Sequence, residues 1–255
     1  MTQLPKLIAF DLDDTLAPSK SRVPDEILEL LARLLAHTNV AVISGGNIGQ
    51  FQAQLLAPLV EQEIDEASLE RLHLLPTCGT HYELRQNGAW HTLYREVLSE
   101  TDRAAALQAL EKRARELGLW EHETWGEILE DRGSQVTFSA LGQNAPVQAK
   151  AAWDPSGEKK NKLAAAVQQD LPHLAVRSGG STSVDITRQG IDKAYGMQKL
   201  ATQTGIDLSE MLFVGDRLDP AGNDYPVLRL GVTCHAVHSW QDTATFLHEL
   251  LSVAA

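Results

Sequence analysis

Two carboxylates, Asp11 and Asp13 in Asp11-Leu12-Asp13-Asp14-Thr15, directly follow the apolar run Leu7-Ile8-Ala9-Phe10. A short apolar run of this kind reads as a buried strand. The crevice beyond the C-terminal ends of such strands is where open α/β sheets bind ligands, and both carboxylates can face it. One could attack phosphorus and carry it as an aspartyl-phosphate. The other could protonate the leaving oxygen and then deprotonate the attacking water. Two carboxylates this close repel, so a divalent cation is expected between them and a phosphate, and oxygen ligands suit Mg2+. Alone, the five residues would serve equally as a solvated acidic turn.

Three further segments weigh against that plainer reading. Val40-Ala41-Val42-Ile43 ends in Ser44-Gly45-Gly46, which offers a hydroxyl and glycine amides to phosphoryl oxygens. Lys193, in Gly190-Ile191-Asp192-Lys193, begins a helical pattern. A cation at that end opposes the helix dipole, which suggests another use such as neutralising phosphate, although alone the residue reads more simply as a surface lysine. Phe213-Val214-Gly215-Asp216 places a carboxylate after another buried strand, and Gly222-Asn223-Asp224 follows. Asp216, Asn223 and Asp224 are oxygen donors of the kind a hard cation takes.

The elements that must position these groups alternate. Strand signals at 6–10, 40–43 and 72–75 are interleaved with helical spacing at Ile27, Leu30, Leu31, Leu34 and Leu35 and again at Phe51, Leu55 and Leu56. The last third resumes the pattern, with helix 192–204, strand 211–214, strand 232–237 and helix 243–253. This predicts a parallel sheet covered on both faces. The middle breaks the alternation. It holds a hairpin signal at Asn87-Gly88, a long helix over 101–117, and strands at 135–141 and 183–186. The expectation is therefore α/β: a Rossmann-like core from residues 1–84 and 185–255, with an α+β cap, 85–184, inserted into it. Four of the five tryptophans fall in the insert, as they would in a small module's core.

Composition narrows the partners. The 255 residues carry 22 Lys plus Arg against 34 Asp plus Glu, a formal charge of −12. A nucleic-acid or anionic-membrane partner calls for a basic face, so neither is expected. The expected partner is a small phosphorylated metabolite. Two cysteines are too few for a disulfide framework. With no run long enough for a signal segment or membrane helix, the expected location is cytoplasmic. His235 and His238 read as structural, since no third ligand lies nearby, and Cys78 as a buried thiol.

In this order, the four segments resemble the haloacid dehalogenase-like phosphotransferase superfamily. Its pattern asks for Asp-x-Asp-x-Thr, a Ser or Thr after the second strand, a Lys, and Gly-Asp with later acids. The insertion after the third strand resembles its subclass with a large α+β cap, type IIB. The resemblance implies Asp11 as nucleophile, Asp13 as general acid/base, and Ser44, Gly45, Gly46 and Lys193 around the phosphate. It also implies Mg2+ held by Asp11, the Asp13 carbonyl and Asp216, supported by Asn223 and Asp224. A closer likeness runs through Glu130-Asp131-Arg132-Gly133 to Gly142, Gly179-Gly180-Ser181-Thr182-Ser183-Val184-Asp185, Gly190 to Tyr195, and Gly215 to Tyr225. These segments resemble the eukaryotic-type phosphomannomutases, which implies that Arg132, Ser183 and Asp185 contact a sugar phosphate.

The sequence departs from that family at arginine positions. Gln143 follows Gly142, Lys150 stands seven residues on, and Lys20 lies beyond the nucleophile motif. Lys150 and Lys20 keep a charge for the substrate, but no lysine or glutamine reproduces the fixed bidentate geometry of arginine. A mutase must hold two phosphate positions in turn, whereas a phosphatase needs one. The sequence therefore predicts a Mg2+-dependent phosphomonoesterase, with a phosphohexomutase as the alternative and a non-catalytic binding protein as the third reading.

Overall fold

Leu7–Phe10 is wholly buried, as an apolar strand with parallel neighbours on both sides must be. The structure, a computed structural model, describes residues 4–254. Its strands in chain order are β1 (Leu7–Phe10), β2 (Asn39–Ile43), β3 (Leu72–Leu75), β4 (His81–Gln86), β5 (Ala89–Arg95) and β6 (Leu129–Asp131). β7 (Gln135–Ser139), β8 (Leu174–Ser178), β9 (Ser183–Arg188), β10 (Met211–Gly215) and β11 (Thr233–Ala236) follow. Among the described residues two sheets form, ordered β11-β10-β1-β2-β3-β4-β5 and β6-β7-β9-β8.

The first sheet belongs to one unit, made of the residues up to Arg95 and those from Asp192 onward. β11, β10, β1, β2 and β3 are parallel. One face is covered by helix Asp25–Leu35, whose Ile27, Leu30, Leu31 and Leu34 are buried, and by helix Trp240–Ala254. The other face is covered by helix Lys193–Thr204 through Met197 and Leu200. Helices on both faces of a parallel sheet are what the alternating sequence predicts. The chain is an α/β protein with a Rossmann-like core. The helix expected around Phe51 and Leu55 is irregular, with a π-turn over Gln52–Leu56 between short α segments. Asn47 opens it with a capping box to Gln50.

The second unit spans Glu96–Ile191, and both of its limits lie later than the 85–184 read from sequence. At its start, hydrogen bonding decides. β4 pairs antiparallel with β3, and β5 pairs with β4 across the Asn87-Gly88 turn, so the hairpin extends the first sheet. Asn87 and Gly88 take φ of 51° and 80°, the left-handed pair that a two-residue hairpin favours. At its end, β9 runs to Arg188 between β7 and β8, so the whole strand stays with the four-stranded antiparallel sheet. Val136, Phe138, Val184 and Ile186 point from that sheet into a core with helices Glu100–Glu116 and Glu158–Asp170. The other face of β7 carries Gln135, Thr137 and Ser139, by the period of two. Trp153 is buried in this core and Trp120 packs against it, whereas Trp125 is exposed.

Candidate active site

Strand order brings the chemistry together. β1 lies between β10 and β2, so Asp11, Asp216 and Ser44 all emerge at the same end of adjacent parallel strands. The Asp11 amide donates to the Val214 carbonyl at 3.0 Å, which carries the β1–β10 ladder one residue past the strand. One oxygen each of Asp11, Asp216 and Asp224 lie within 4.8 Å of one another. Asp11 and Asp224 are buried and Asp216 is partly so.

Lys193 is the cation of this group. Its ammonium is 2.5 Å from Asp11 Oδ1 and 2.5 Å from Asp224 Oδ1, with 1% of the side chain exposed. The helix it begins is capped by Asp192, whose carboxylate accepts the Tyr195 amide at 3.1 Å. Asp224 is held from its other oxygen by the Arg217 amide at 3.0 Å. A Cβ on Gly215 would collide with Asp224 Oδ2, so glycine before Asp216 lets the two acids approach.

Three carboxylates against one ammonium leave excess negative charge in a poorly solvated place. The Asp11 carboxyl is held well above the usual carboxylate range, first by burial and then, against the pull of Lys193, by Asp224. Asp216 is raised by burial and by Asp224. Lys193 is raised: burial disfavours its charge, but Asp11 and Asp224 together outweigh that cost. An all-oxygen, over-negative cluster fits a hard divalent cation, and Asp11, Asp216 and Asp224 are the residues that would hold it.

Other expected residues stand apart from the cluster. The Asp13 carboxylate turns to the following loop, where Oδ1 accepts the Lys20 amide at 2.6 Å. Lys20 itself has φ of 56°. Asn223 is exposed, next to the buried Asp224. Ser44 is buried, its Oγ accepting the Gly46 amide at 3.1 Å. Nothing would obstruct a side chain at Gly45.

In the second unit, Asp185 Oδ1 accepts from Gln135 Nε2 at 2.9 Å and from Thr137 Oγ1 at 2.8 Å. Ser183 lies two residues earlier on the same face of β9. Arg132 pairs with Glu130 at 2.8 Å. Gln143 Nε2 donates to Ser139 Oγ at 3.0 Å, and Lys150 Nζ donates to the Gln143 carbonyl at 3.5 Å.

Sequence reasoning missed three supporting groups. Gln135 and Thr137 hold Asp185, and only the polar alternation along β7 could have marked them. Thr243, fully buried, donates from Oγ1 to the Thr15 carbonyl at 2.7 Å, and Thr15 Oγ1 faces Asp216 at 3.4 Å. A threonine in the first turn of a surface helix carries no sequence signal for that contact. The two discounted features also resolve. His235 stacks on Phe246 at 4.0 Å, a structural use, and Cys78 is half-buried.

A Rossmann-like sheet with Asp11 and Asp216 at its strand ends, met there by Lys193 from a helix start and Asp224 from a loop, and an inserted α+β unit, defines a haloacid dehalogenase-like enzyme. Residues 27–253 match the eukaryotic phosphomannomutase family, and the chain belongs to that family. It is 27% identical over 254 residues to a phosphomannomutase of Saccharomyces cerevisiae, a match spanning 97% of this chain and 94% of the yeast protein. It is 24% identical to phosphomannomutase 1 of Mus musculus, over 96% of this chain and 91% of that one.

Solved structures share the fold. The IMP-nucleotidase of Plasmodium falciparum superposes with a TM-score of 0.73 at 16% identity, covering 98% of this chain and 71% of that chain. A haloacid dehalogenase-like hydrolase from Bacteroides thetaiotaomicron gives 0.60 at 17% identity, covering 96% and 99%. No helix among the described residues is long and apolar enough to cross a membrane.

Proposed function

We propose that the protein moves a phosphoryl group between two positions of a hexose phosphate through an aspartyl-phosphate on Asp11. The observation that carries this reading is the Asp11–Lys193–Asp224 group with Asp216 beside it, in a chain whose relatives named phosphomannomutase match it nearly end to end. The relatives support the mutase over the hydrolysis that the sequence alone led us to expect.

Asp11 attacks phosphorus, forming an oxygen–phosphorus bond as the bond to the sugar oxygen breaks. Asp13 gives that oxygen its proton. In the return step a sugar hydroxyl loses its proton to Asp13 and takes the phosphoryl group from Asp11. The Asp13 carboxylate must turn from the Lys20 amide to do this. Lys193, the Ser44 hydroxyl and the Gly45 and Gly46 amides receive the phosphoryl oxygens. Asp11, the Asp13 carbonyl and Asp216, with Asn223 and Asp224 in support, would hold Mg2+, which would supply positive charge against those oxygens. Ser183 and Asp185, the latter steadied by Gln135 and Thr137, bond sugar hydroxyls, while Arg132 and Lys150 are the second unit's cations for a second phosphate.

Net hydrolysis is the second reading, and a specific observation favours it: Gln143, at a position where the resemblance implies an arginine, makes a neutral bond to Ser139. The test is a hexose 1-phosphate with Mg2+ and catalytic hexose bisphosphate, following hexose 6-phosphate and free phosphate together. Hexose 6-phosphate in excess supports the mutase. Free phosphate in excess establishes the phosphatase, and neither product retires both readings.

A further inference from the structure

Thr77 and Cys78, directly after β3, both hold left-handed backbone, with φ of 48° and 55°, and Gly79 follows at 84°. Two consecutive non-glycine residues in that region are costly, and they persist only where the surroundings dictate them. The surroundings here are specific. The Thr77 amide donates to the Gly46 carbonyl at 2.8 Å and the Cys78 amide to the Ser44 carbonyl at 2.9 Å. Thr80 Oγ1 donates to the Thr77 carbonyl at 2.9 Å. From β5, the Tyr94 hydroxyl donates to the Gly79 carbonyl at 2.9 Å.

The opposite side of this turn seats on the helix that Lys193 begins. A Cβ on Gly79 would stand 2.5 Å from Gly196 Cα, and a Cβ on Gly196 would stand 2.8 Å from the Cys78 oxygen. Backbone meets backbone there, three residues after Lys193. The left-handed run thus touches the Ser44–Gly46 loop on one side and the Lys193 helix on the other.

We infer that residues 77–79 form a strut fixing the separation of the Ser44–Gly46 loop from Lys193, and that Tyr94 is the positioning residue that locks it. The inference rests on the reading of those two elements as the phosphoryl-oxygen ligands, and it adds what sets their spacing. A right-handed turn would lose the bonds to Ser44 and Gly46. Tyr94 lies far from the nucleophile in sequence, on a hairpin whose ring stacks on Tyr82 at 5.7 Å and meets Lys199 at 5.1 Å. Replacing Tyr94 with Phe keeps the ring and removes only the hydroxyl.

The test is binding of inorganic phosphate in saturating Mg2+ by calorimetry, with amide exchange read at residues 44–46. Tyr94→Phe should weaken phosphate about fivefold, the worth of one hydrogen bond. It should speed exchange at 44–46 and leave Mg2+ affinity without phosphate unchanged. Gly196→Ala, which presses on the strut from the helix side, should weaken phosphate as well. A role in stability alone would lower the melting temperature and leave phosphate affinity as it was. Equal phosphate binding by wild type and Tyr94→Phe overturns the strut and leaves the phosphate site standing. No phosphate binding by wild type overturns that site, and the strut with it.

Discussion

Lys193 Nζ stands 2.5 Å from Asp224 Oδ1, and Asp224 is fully buried. The same ammonium reaches Asp11 at the same distance, so one cation bridges Asp11 and an acid from the Gly222-Asn223-Asp224 loop. Burying a charge without a partner is far costlier than burying a pair. Lys193, Asp11 and Asp224 are therefore mutually dependent, and changes to any one are felt by the others.

Asp11→Asn should abolish turnover, by at least roughly a thousandfold given the loss of the nucleophile. The fold should survive. The amide keeps the shape, Lys193 keeps Asp224, and the excess negative charge of the cluster falls. Circular dichroism should match wild type. Phosphate release or isomerisation above about a tenth of the wild-type rate would remove Asp11 from the nucleophile role.

Mg2+ should raise the melting temperature of the wild type. Asp11, Asp216 and Asp224 come together only in the folded chain, and a ligand that binds the folded state alone stabilises it by mass action. Asp216→Asn should shrink the shift, since it removes a charged oxygen from the group within 4.8 Å. EDTA should abolish turnover. A melting temperature indifferent to Mg2+ would argue against a cation at these three carboxylates.

The core was legible because its rules are local. Each buried strand is a short apolar run, and Ser44, Lys193 and Asp216 each stand at the end or start of an element that the pattern marks. The insert's limits were less legible. Whether the Asn87-Gly88 hairpin belongs to the insert or to the core depends on β3 pairing with β4, and nothing in residues 81–95 says which edge they will join. Thr243, Gln135 and Thr137 were less legible for a related reason: each acts through one long-range hydrogen bond, Thr243 with no spacing to mark it and Gln135 and Thr137 with only the short polar alternation of β7.

Stability should fall with acid through His73. This side chain is buried between Tyr82 Oη, 2.6 Å from Nδ1, and Asn39 Oδ1, 3.3 Å from Nε2. The Asn39 oxygen can only accept, so Nε2 carries the proton and Nδ1 accepts from Tyr82, which is the neutral ring. Burial pushes the imidazole down to about 4. Below the ordinary value near 6.5 the unfolded chain takes up a proton that the folded chain refuses. Stability is thus fully present above about 6.5 and declines toward pH 4, at about 1.4 kcal/mol per pH unit for this one group. Urea melts at pH 7 and pH 5 should show that slope, and His73→Gln should flatten it. An unchanged slope in the variant would place the acid sensitivity elsewhere.

Gln143→Arg should shift the balance between isomerised sugar and free phosphate toward the sugar. In the proposed reaction both outcomes share the step in which Asp11 takes the phosphoryl group, and they part when a sugar hydroxyl or a water receives it. Return to sugar requires the partly dephosphorylated intermediate to stay bound while its other position is presented. The second phosphate is the part of that intermediate a cation can hold most firmly. Gln143 is half-buried on the same chain segment as Lys150, and its amide is engaged with Ser139, so it brings no charge. A guanidinium there adds a bidentate, charge-assisted contact worth on the order of 1.5–3 kcal/mol. That corresponds to roughly a tenfold to hundredfold longer hold on the intermediate, and so a similar rise in the ratio of hexose 6-phosphate to free phosphate. The total rate of phosphoenzyme formation should change little, because Asp11, Lys193 and Asp216 are untouched. The measurement is the product ratio at fixed hexose bisphosphate, for wild type and variant side by side. A ratio that does not move would mean that the second phosphate is held by other residues, and that position 143 does not decide between transfer and hydrolysis.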